Sequence, residues 1–318
     1  MKENNFTGKK VLITGGCGFI GSHLTNRMLE QAAQVFILTR NSNNKLLKIK
    51  DKADTVNLLQ IDITNTSETM AAIIKIKPDY VFHLAAYGVD SSQKDYNSAV
   101  DINIKGTINL LTALKETGCR KFINLGTCAE YGDRQELLDE HMYPEPVSVY
   151  GSTKACATIM AHQIARENHL SIVTLRPFGI FGEGEARHKI FCHIIMSLLD
   201  NKDVQLTSCE QYRDYCYVEN IIDGLILAAE NPTAHNHIFN IASGELHPLK
   251  YYVELIFKNI ATDKKPLYGT VEYRKNEMWS PRADISQIQT LLGWQPKISI
   301  EEGLIRTINW YKENKNYV

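Results

Sequence analysis

At 318 residues the chain exceeds one average domain and points to one large domain or two unequal ones. It is 44% hydrophobic and 22% charged with a net charge of −1, which leaves no broad electrostatic attraction to nucleic acid or to an anionic membrane. No stretch reaches the roughly 18 apolar residues of a membrane span, and Met1 to Lys10 is polar and basic without an apolar run, so a cytoplasmic, soluble protein is expected.

Val11, Leu12 and Ile13 form a short apolar run that fits one buried strand of a parallel sheet. Gly15, Gly18 and Gly21 follow at three-residue spacing, and Phe19, Ile20, Leu24, Met28 and Leu29 recur at helical intervals. This pattern predicts strand, tight turn and helix. Val35 to Thr39 reads as a second strand, closed by polar Arg40 to Asn44, and Val56 to Ile61 as a third. Thr66 to Ile76 reads as a helix, and the Pro78-Asp79 turn leads into a fourth strand, Tyr80 to Leu84. Ala99 to Thr117 is a longer helix with Gly118 as its stop, followed by a fifth strand, Lys121 to Leu125. Val149 to Glu167 is a further helix and Leu170 to Leu175 a sixth strand. Beyond residue 177 the alternation weakens; a helix near Ile190 to Leu199 is followed by short elements.

Alternating strands and helices predict an α/β fold with a Rossmann-type, doubly wound parallel sheet. Residues 1–176 are expected to form a dinucleotide-binding domain. Residues 177–318 would form a smaller, mainly substrate-binding part, interleaved with the first and not separated by a linker. The seven cysteines are scattered without a C-x-x-C pair, which predicts neither a disulfide framework nor a zinc site. His235 and His237 have no third ligand nearby in the sequence, so no metal is expected.

Ligands of such sheets lie beyond the carboxyl ends of the strands. The glycine turn would bring backbone close to a pyrophosphate, with free N–H groups at the helix start facing it. Its spacing is G-x-x-G-x-x-G, not the G-x-G-x-x-G of the common dehydrogenase fingerprint. Residues after the second strand would face the adenosine ribose. Thr39, Arg40, Asn41 and Ser42 include no acid, and an arginine suits a 2′-phosphate, so NADP is preferred over NAD.

Tyr150 and Lys154, at i and i+4 on one helix face, can reach one cofactor and one substrate. A phenol titrates near 10, and a fixed ammonium beside it favours the phenolate. Thr127, just after the fifth strand, is placed to hold a substrate oxygen while Tyr150 moves the proton.

These motifs, in this order, resemble the extended short-chain dehydrogenase/reductase family, in its nucleotide-sugar branch of NAD-dependent epimerase/dehydratase type, over nearly the whole chain. The resemblance implies that Thr14 to Gly21 is the cofactor turn, with Gly15, Gly18, Phe19, Ile20 and Gly21 against the dinucleotide. It places Asp62 and Ile63 at the adenine, and His83, Leu84, Ala85 and Ala86 along the cofactor wall. Asn103 matches the family's helix asparagine, which the resemblance places at the cofactor; Arg176, Pro177, Phe178 and Gly182 match the segment closing over the nicotinamide. Thr127, Tyr150 and Lys154 fall on the catalytic triad. Arg213, and Arg282 with Asp284 in Arg282-Ala-Asp284, match contacts to a sugar-nucleotide diphosphate, while Asn240 to Glu245 and Leu292 to Pro296 match late landmarks.

Two departures matter. Cys128 and Ala129 stand where dehydratases of the family carry acidic groups, and Glu130 is displaced by one position, which argues against ordinary 4,6-dehydration. Gly179 replaces an asparagine that many relatives use at phosphate. The implied function is reduction of a nucleoside-diphosphate 4-keto-6-deoxy-hexose, with Tyr150 as proton donor. A 4-epimerase is the close alternative; an atypical dehydratase using Cys128 or Glu130, or a non-catalytic cofactor sensor, is more remote. The helices at 99–117 and 149–167 resemble those that pair in family homodimers.

Overall fold

The computed structural model describes residues 5–40, 55–90, 92–274 and 277–315. Through its first half the chain builds β1 (Lys10–Thr14), α1 (Phe19–Glu30), β2 (Gln34–Thr39), β3 (Asn57–Gln60), α2 (Thr66–Ile76) and β4 (Tyr80–His83). A continuous helical run follows: α3 (Tyr96–Ala99), a π-helical segment (Val100–Lys105) and α4 (Gly106–Thr117). Then come β5 (Lys121–Leu125), the short β6 (Leu137–Leu138), α5 (Val149–Glu167) and β7 (Ile172–Pro177).

Local chemistry sets several of these boundaries. Asn65 caps α2 by accepting from the Glu68 N–H, and Ser148 caps α5 by accepting from the Gly151 N–H at 3.0 Å. Gly118 stops α4 at φ +68°, as the sequence suggests. The helix expected from Ala99 begins three residues earlier because Asp95 caps it, accepting from the Ser98 N–H at 2.6 Å. The strand expected at 170–175 is shifted to Ile172–Pro177, and those expected at 56–61 and 80–84 are shorter.

The second half contributes β8 (Gly179–Phe181), α6 (Ile190–Leu199), β9 (Tyr212–Arg213), β10 (Tyr215–Tyr217) and α7 (Val218–Glu230). It continues through β11 (Ile238–Ile241), β12 (His247–Pro248), α8 (Leu249–Asn259), β13 (Arg282–Ala283), α9 (Ser286–Leu292) and α10 (Ile300–Glu313).

The central sheet has seven strands in the order β11-β7-β5-β4-β1-β2-β3, paired in parallel throughout. The six strands expected from the sequence are all in it. The seventh, β11, comes from the C-terminal half, where Phe239 and Ile241 are fully buried beside β7. Apolar side chains cover both faces, as a parallel sheet requires. On one face α1, α7 and α9 bury Leu24, Met28, Ile221, Leu225 and Ile288; on the other α2, α4 and α5 bury Ile73, Leu110, Leu114 and Ala161. A separate cluster of α6, α8 and α10, with Phe191, Ile195, Tyr252, Leu304 and Tyr311, forms the core of the remaining part.

Candidate active site

All seven strands run the same way, so Thr14, Thr39, His83, Leu125 and Pro177 end on one edge of the sheet. Gly15, Phe19, Ile20 and Leu84 to Ala86 line that edge, each half-buried, while Gly18 is exposed. Gly15 has φ +71°, and a Cβ there would stand 2.9 Å from the Ala85 nitrogen. A Cβ on Gly21 would stand 2.1 Å from the Gly15 carbonyl oxygen. The turn is therefore closed to side chains at both positions. Gly18 precedes α1 without a side-chain cap, which leaves the first-turn N–H groups available to an anion.

Thr39 and the exposed Arg40 lie at the end of β2, while Asn41 and Ser42 fall outside the described residues. Asp62 accepts the Thr64 N–H at 2.9 Å, and Ile63 packs where a Cβ on Gly106 would sit 2.7 Å from its Cδ1.

Below this edge His83 is fully buried. The Ala85 N–H donates to Thr14 Oγ1 at 3.2 Å, so the Thr14 hydroxyl donates its own proton to His83 Nδ1 at 2.7 Å. On the other side Thr107 donates to the Asn103 carbonyl at 2.6 Å and accepts from His83 Nε2 at 2.9 Å. These directions require the neutral Nε2–H tautomer. Burial, with a smaller contribution from the Lys154 charge, brings the imidazole down to about 3. His83 thus braces the Leu84 to Ala86 segment from beneath.

Asn103 sits in the π-helical segment, a distortion that commonly re-aims a side chain at a functional site. Its Oδ1 accepts the Tyr87 N–H at 2.8 Å, and its Nδ2 donates to the Tyr87 carbonyl at 2.9 Å and to the Thr153 hydroxyl at 2.8 Å. The amide is engaged by protein, so Asn103 positions the Tyr87 loop and α5 where a direct cofactor contact was expected.

Tyr150 and Thr127 come within hydrogen-bond reach, with Lys154 one turn along α5. Gly151 lets the start of α5 approach the loop after β5, since a Cβ there would lie 2.3 Å from the Ala129 carbonyl oxygen. Thr127 Oγ1 accepts the Ala129 N–H at 3.2 Å, which leaves its proton for an oxygen in the cleft. Burial raises the Tyr150 phenol well above its usual range, while a hydrogen bond from Thr127 opposes that rise. The acidified phenol expected from the sequence is therefore corrected for the protein alone: burial raises it, and the Cys128 and Glu130 charges add to the rise. Lys154 is buried, and burial brings it down to about 8 against the opposing pull of the Glu130 carboxylate.

The remaining candidates divide. Burial pushes the Cys128 thiol up to about 12, although the Arg213 charge and a hydrogen bond with Thr127 work against it, so it is a poor proton donor near neutrality. Glu130, the other candidate acid, is fully buried. Its Oε1 accepts from the Thr127 N–H at 3.0 Å and from the Thr158 hydroxyl at 3.2 Å, and its Oε2 from Arg176 Nε at 2.8 Å. This carboxylate supports the site and has no path to a sugar. Arg176 also donates to the Tyr131 hydroxyl at 3.0 Å, which donates to Asn240 Oδ1 at 2.7 Å, so the loop after β5 is tied to β7 and β11.

Arg213 reaches the Cys128 side of the cleft, but its guanidinium pairs with Glu277 and donates to the Met278 carbonyl at 2.6 Å. Arg282, in β13, is exposed, and Pro177 is buried at the end of β7. Gly179 has a local reason: a Cβ there would lie 2.6 Å from Tyr215 Cδ1, so the Tyr215 ring occupies the room an asparagine would need.

Sequence reading missed Thr153, Thr158, Glu277 and the supporting role of Glu130. Only the last left a signal, since Thr127-x-x-Glu130 has the spacing of a capping box, and that box forms here. The assembled site offers a side-chain-free anion cradle, a buried ammonium, and a phenol and a hydroxyl converging on one cleft.

A family model described as the NAD dependent epimerase/dehydratase family matches residues 11–242. A UDP-glucuronate 4-epimerase of Thermodesulfobacterium geofontis is 30% identical over 315 residues, covering 95% of this chain and 96% of its own. Among solved structures, a UDP-glucose 4-epimerase from Thermotoga maritima with UDP-glucose superposes with a TM-score of 0.90 at 27% identity, covering 96% of this chain and 99% of that one. A UDP-glucuronic acid 4-epimerase from Bacillus cereus, in complex with UDP-glucuronic acid and NAD, superposes with a TM-score of 0.83 at 29% identity, covering 96% and 99%.

Proposed function

This chain belongs to the NAD dependent epimerase/dehydratase family, and from that premise we propose that it moves hydride to C4 of a nucleoside-diphosphate sugar, reducing a 4-keto-6-deoxy-hexose. The observation that carries this reading is the convergence of Thr127, Tyr150 and Lys154 on a cleft whose two nearby acid candidates are disabled. Cys128 is held as a thiol and Glu130 is sealed beneath the loop. Proton transfer to an alkoxide is within the reach of such a site; elimination of water lacks its acid.

The residues present fit a nicotinamide dinucleotide, because Gly15 and Gly21 pack the turn tightly against backbone and α1 starts after the exposed Gly18 with no side-chain cap, so its first N–H groups are open to a pyrophosphate. A bound nicotinamide would supply the hydride. Tyr150 then donates its proton to the new sugar oxygen, Thr127 donates a hydrogen bond to the same oxygen, and Lys154 holds the nicotinamide ribose and offsets the phenolate charge. Arg40, with no acid among the described residues beside it at the end of β2, favours the 2′-phosphate of NADP over NAD. Arg213 and Arg282 serve the diphosphate.

A second reading, a 4-epimerase acting with no net cofactor turnover, is favoured by the 4-epimerases among the similar proteins and by NAD in the Bacillus cereus complex. Supplying a 4-keto-6-deoxy nucleotide-sugar with NADPH separates the two. Stoichiometric NADPH oxidation supports the reductase; conversion of an unoxidised nucleotide-sugar without net oxidation supports the epimerase. Failure of both across a broad panel removes the enzymatic reading.

The same reading includes a homodimer. Tyr96, Val100, Ile159 and Met160 are exposed on the adjoining α3, π-helical and α5 surfaces, an apolar face suited to a second copy of the chain. Light scattering that gives only monomer at micromolar concentration would remove it.

A further inference from the structure

We propose that Glu130 is a positioning residue for this site: one buried carboxylate that fixes the Thr127 backbone and places a negative charge on the α5 face that carries Lys154. The inference rests on the reading of Thr127, Tyr150 and Lys154 as the hydride-transfer site and adds to it the group that sets their geometry and charge.

The carboxylate lies in the wedge between the loop after β5 and the buried face of α5. Thr158, one helical turn beyond Lys154 on the same face, donates to Glu130 Oε1 at 3.2 Å. The Thr127 N–H donates to that oxygen at 3.0 Å, and Arg176 Nε donates to Oε2 at 2.8 Å. All three contacts come from donors; burial raises the carboxyl, and the Arg176 and Lys154 charges with these donors pull the other way, toward the ionised form. Gly126 leaves the room, since a Cβ there would stand 2.7 Å from Oε1.

Around the site, the imidazole of His83 on β4, which feels the Lys154 charge, is neutral above about 3, and the thiol of Cys128 is protonated below about 12. The Tyr150 phenol, on the same helix, is raised by burial and also neutral. Arg176 stays cationic, so Glu130 is the negative charge that holds the ammonium against desolvation.

The test compares Glu130→Gln with Glu130→Asp in the full-length protein. Glutamine keeps the length and one acceptor oxygen but removes the charge. Its kcat should lose its alkaline limb roughly one pH unit earlier than wild type, about 1.4 kcal/mol of lost charge stabilisation. Aspartate keeps the charge but cannot reach Thr127. Its kcat should fall about tenfold at unchanged KM, with the pH limb in place. The Lys154 side-chain NMR signals of isotope-labelled protein, followed across pH, give the same titration without turnover. It therefore decides the matter even if no nucleotide-sugar is converted. An unshifted Lys154 titration in Glu130→Gln overturns the proposal. If that variant does not fold, full kcat in Glu130→Asp overturns it, and a tenfold fall in kcat with Lys154 titrating as in wild type supports it.

Discussion

The Asn103 amide donates to the Thr153 hydroxyl at 2.8 Å, which joins the π-helical segment to the turn of α5 that carries Lys154. The same side chain holds both backbone polar groups of Tyr87. A buried amide with three protein partners is a mechanical joint between the Tyr87 loop and α5.

Asn103→Leu should therefore leave the Tyr87 N–H and carbonyl and the Thr153 hydroxyl without this partner. A loss of about 3 kcal/mol of stability is expected, since each stranded buried group costs about 1–3 kcal/mol. Urea unfolding measures it, and an unchanged midpoint would show that the joint carries no strain.

Tyr150→Phe removes only a hydroxyl. Conversion of nucleotide-sugar should fall roughly 10²- to 10⁴-fold, the usual contribution of a positioned proton donor. Cofactor affinity should persist, as read by fluorescence titration. Full-speed turnover in this variant would end the assignment of Tyr150.

Arg40→Ala should weaken NADPH about 10- to 100-fold, the range for losing a charge-assisted hydrogen bond of about 1.5–3 kcal/mol, and leave NADH unaffected. Equal losses for both cofactors would show that the arginine does not read the 2′-phosphate.

His83 is held down to about 3 in the fold, chiefly by burial and then by the Lys154 charge, against 6.5 when exposed. Its depressed value means the unfolded chain takes up the proton first. The stability it confers is complete above 6.5 and is lost, at about 1.4 kcal/mol per pH unit, as pH falls toward 3. Between pH 7 and pH 5 the wild type should lose about 2 kcal/mol that His83→Gln does not lose. Paired urea titrations at the two pH values check this.

Arg213 is occupied by Glu277, and both side chains are largely buried. On the proposed function, a diphosphate at Arg213 has to displace that carboxylate. Glu277→Gln should therefore lower KM for the nucleotide-sugar about fivefold, roughly 1 kcal/mol, with kcat unchanged. A raised KM would mean that Glu277 orients Arg213 for substrate.

Much of this molecule is written locally. Short apolar runs and helical periodicity mark the strands and helices of the first half, because hydrophobic patterning acts over a few residues. The glycine triplet and the Tyr150/Lys154 pair are likewise matters of spacing along one chain segment. Other features depend on where distant segments meet. β11 is a four-residue run that becomes a sheet strand only beside β7, and Glu130 looks like a free acid until Arg176, Thr158 and the Thr127 N–H close on it. The Asn103 amide points to a cofactor until Tyr87 and Thr153 fill its valences, and the charge on Arg213 is claimed by a residue 64 positions away. Burial, and with it the proton affinity of Tyr150, Lys154 and Cys128, is set by packing from several elements at once. Desolvation is a property of the assembled surroundings, and no stretch of sequence carries it alone.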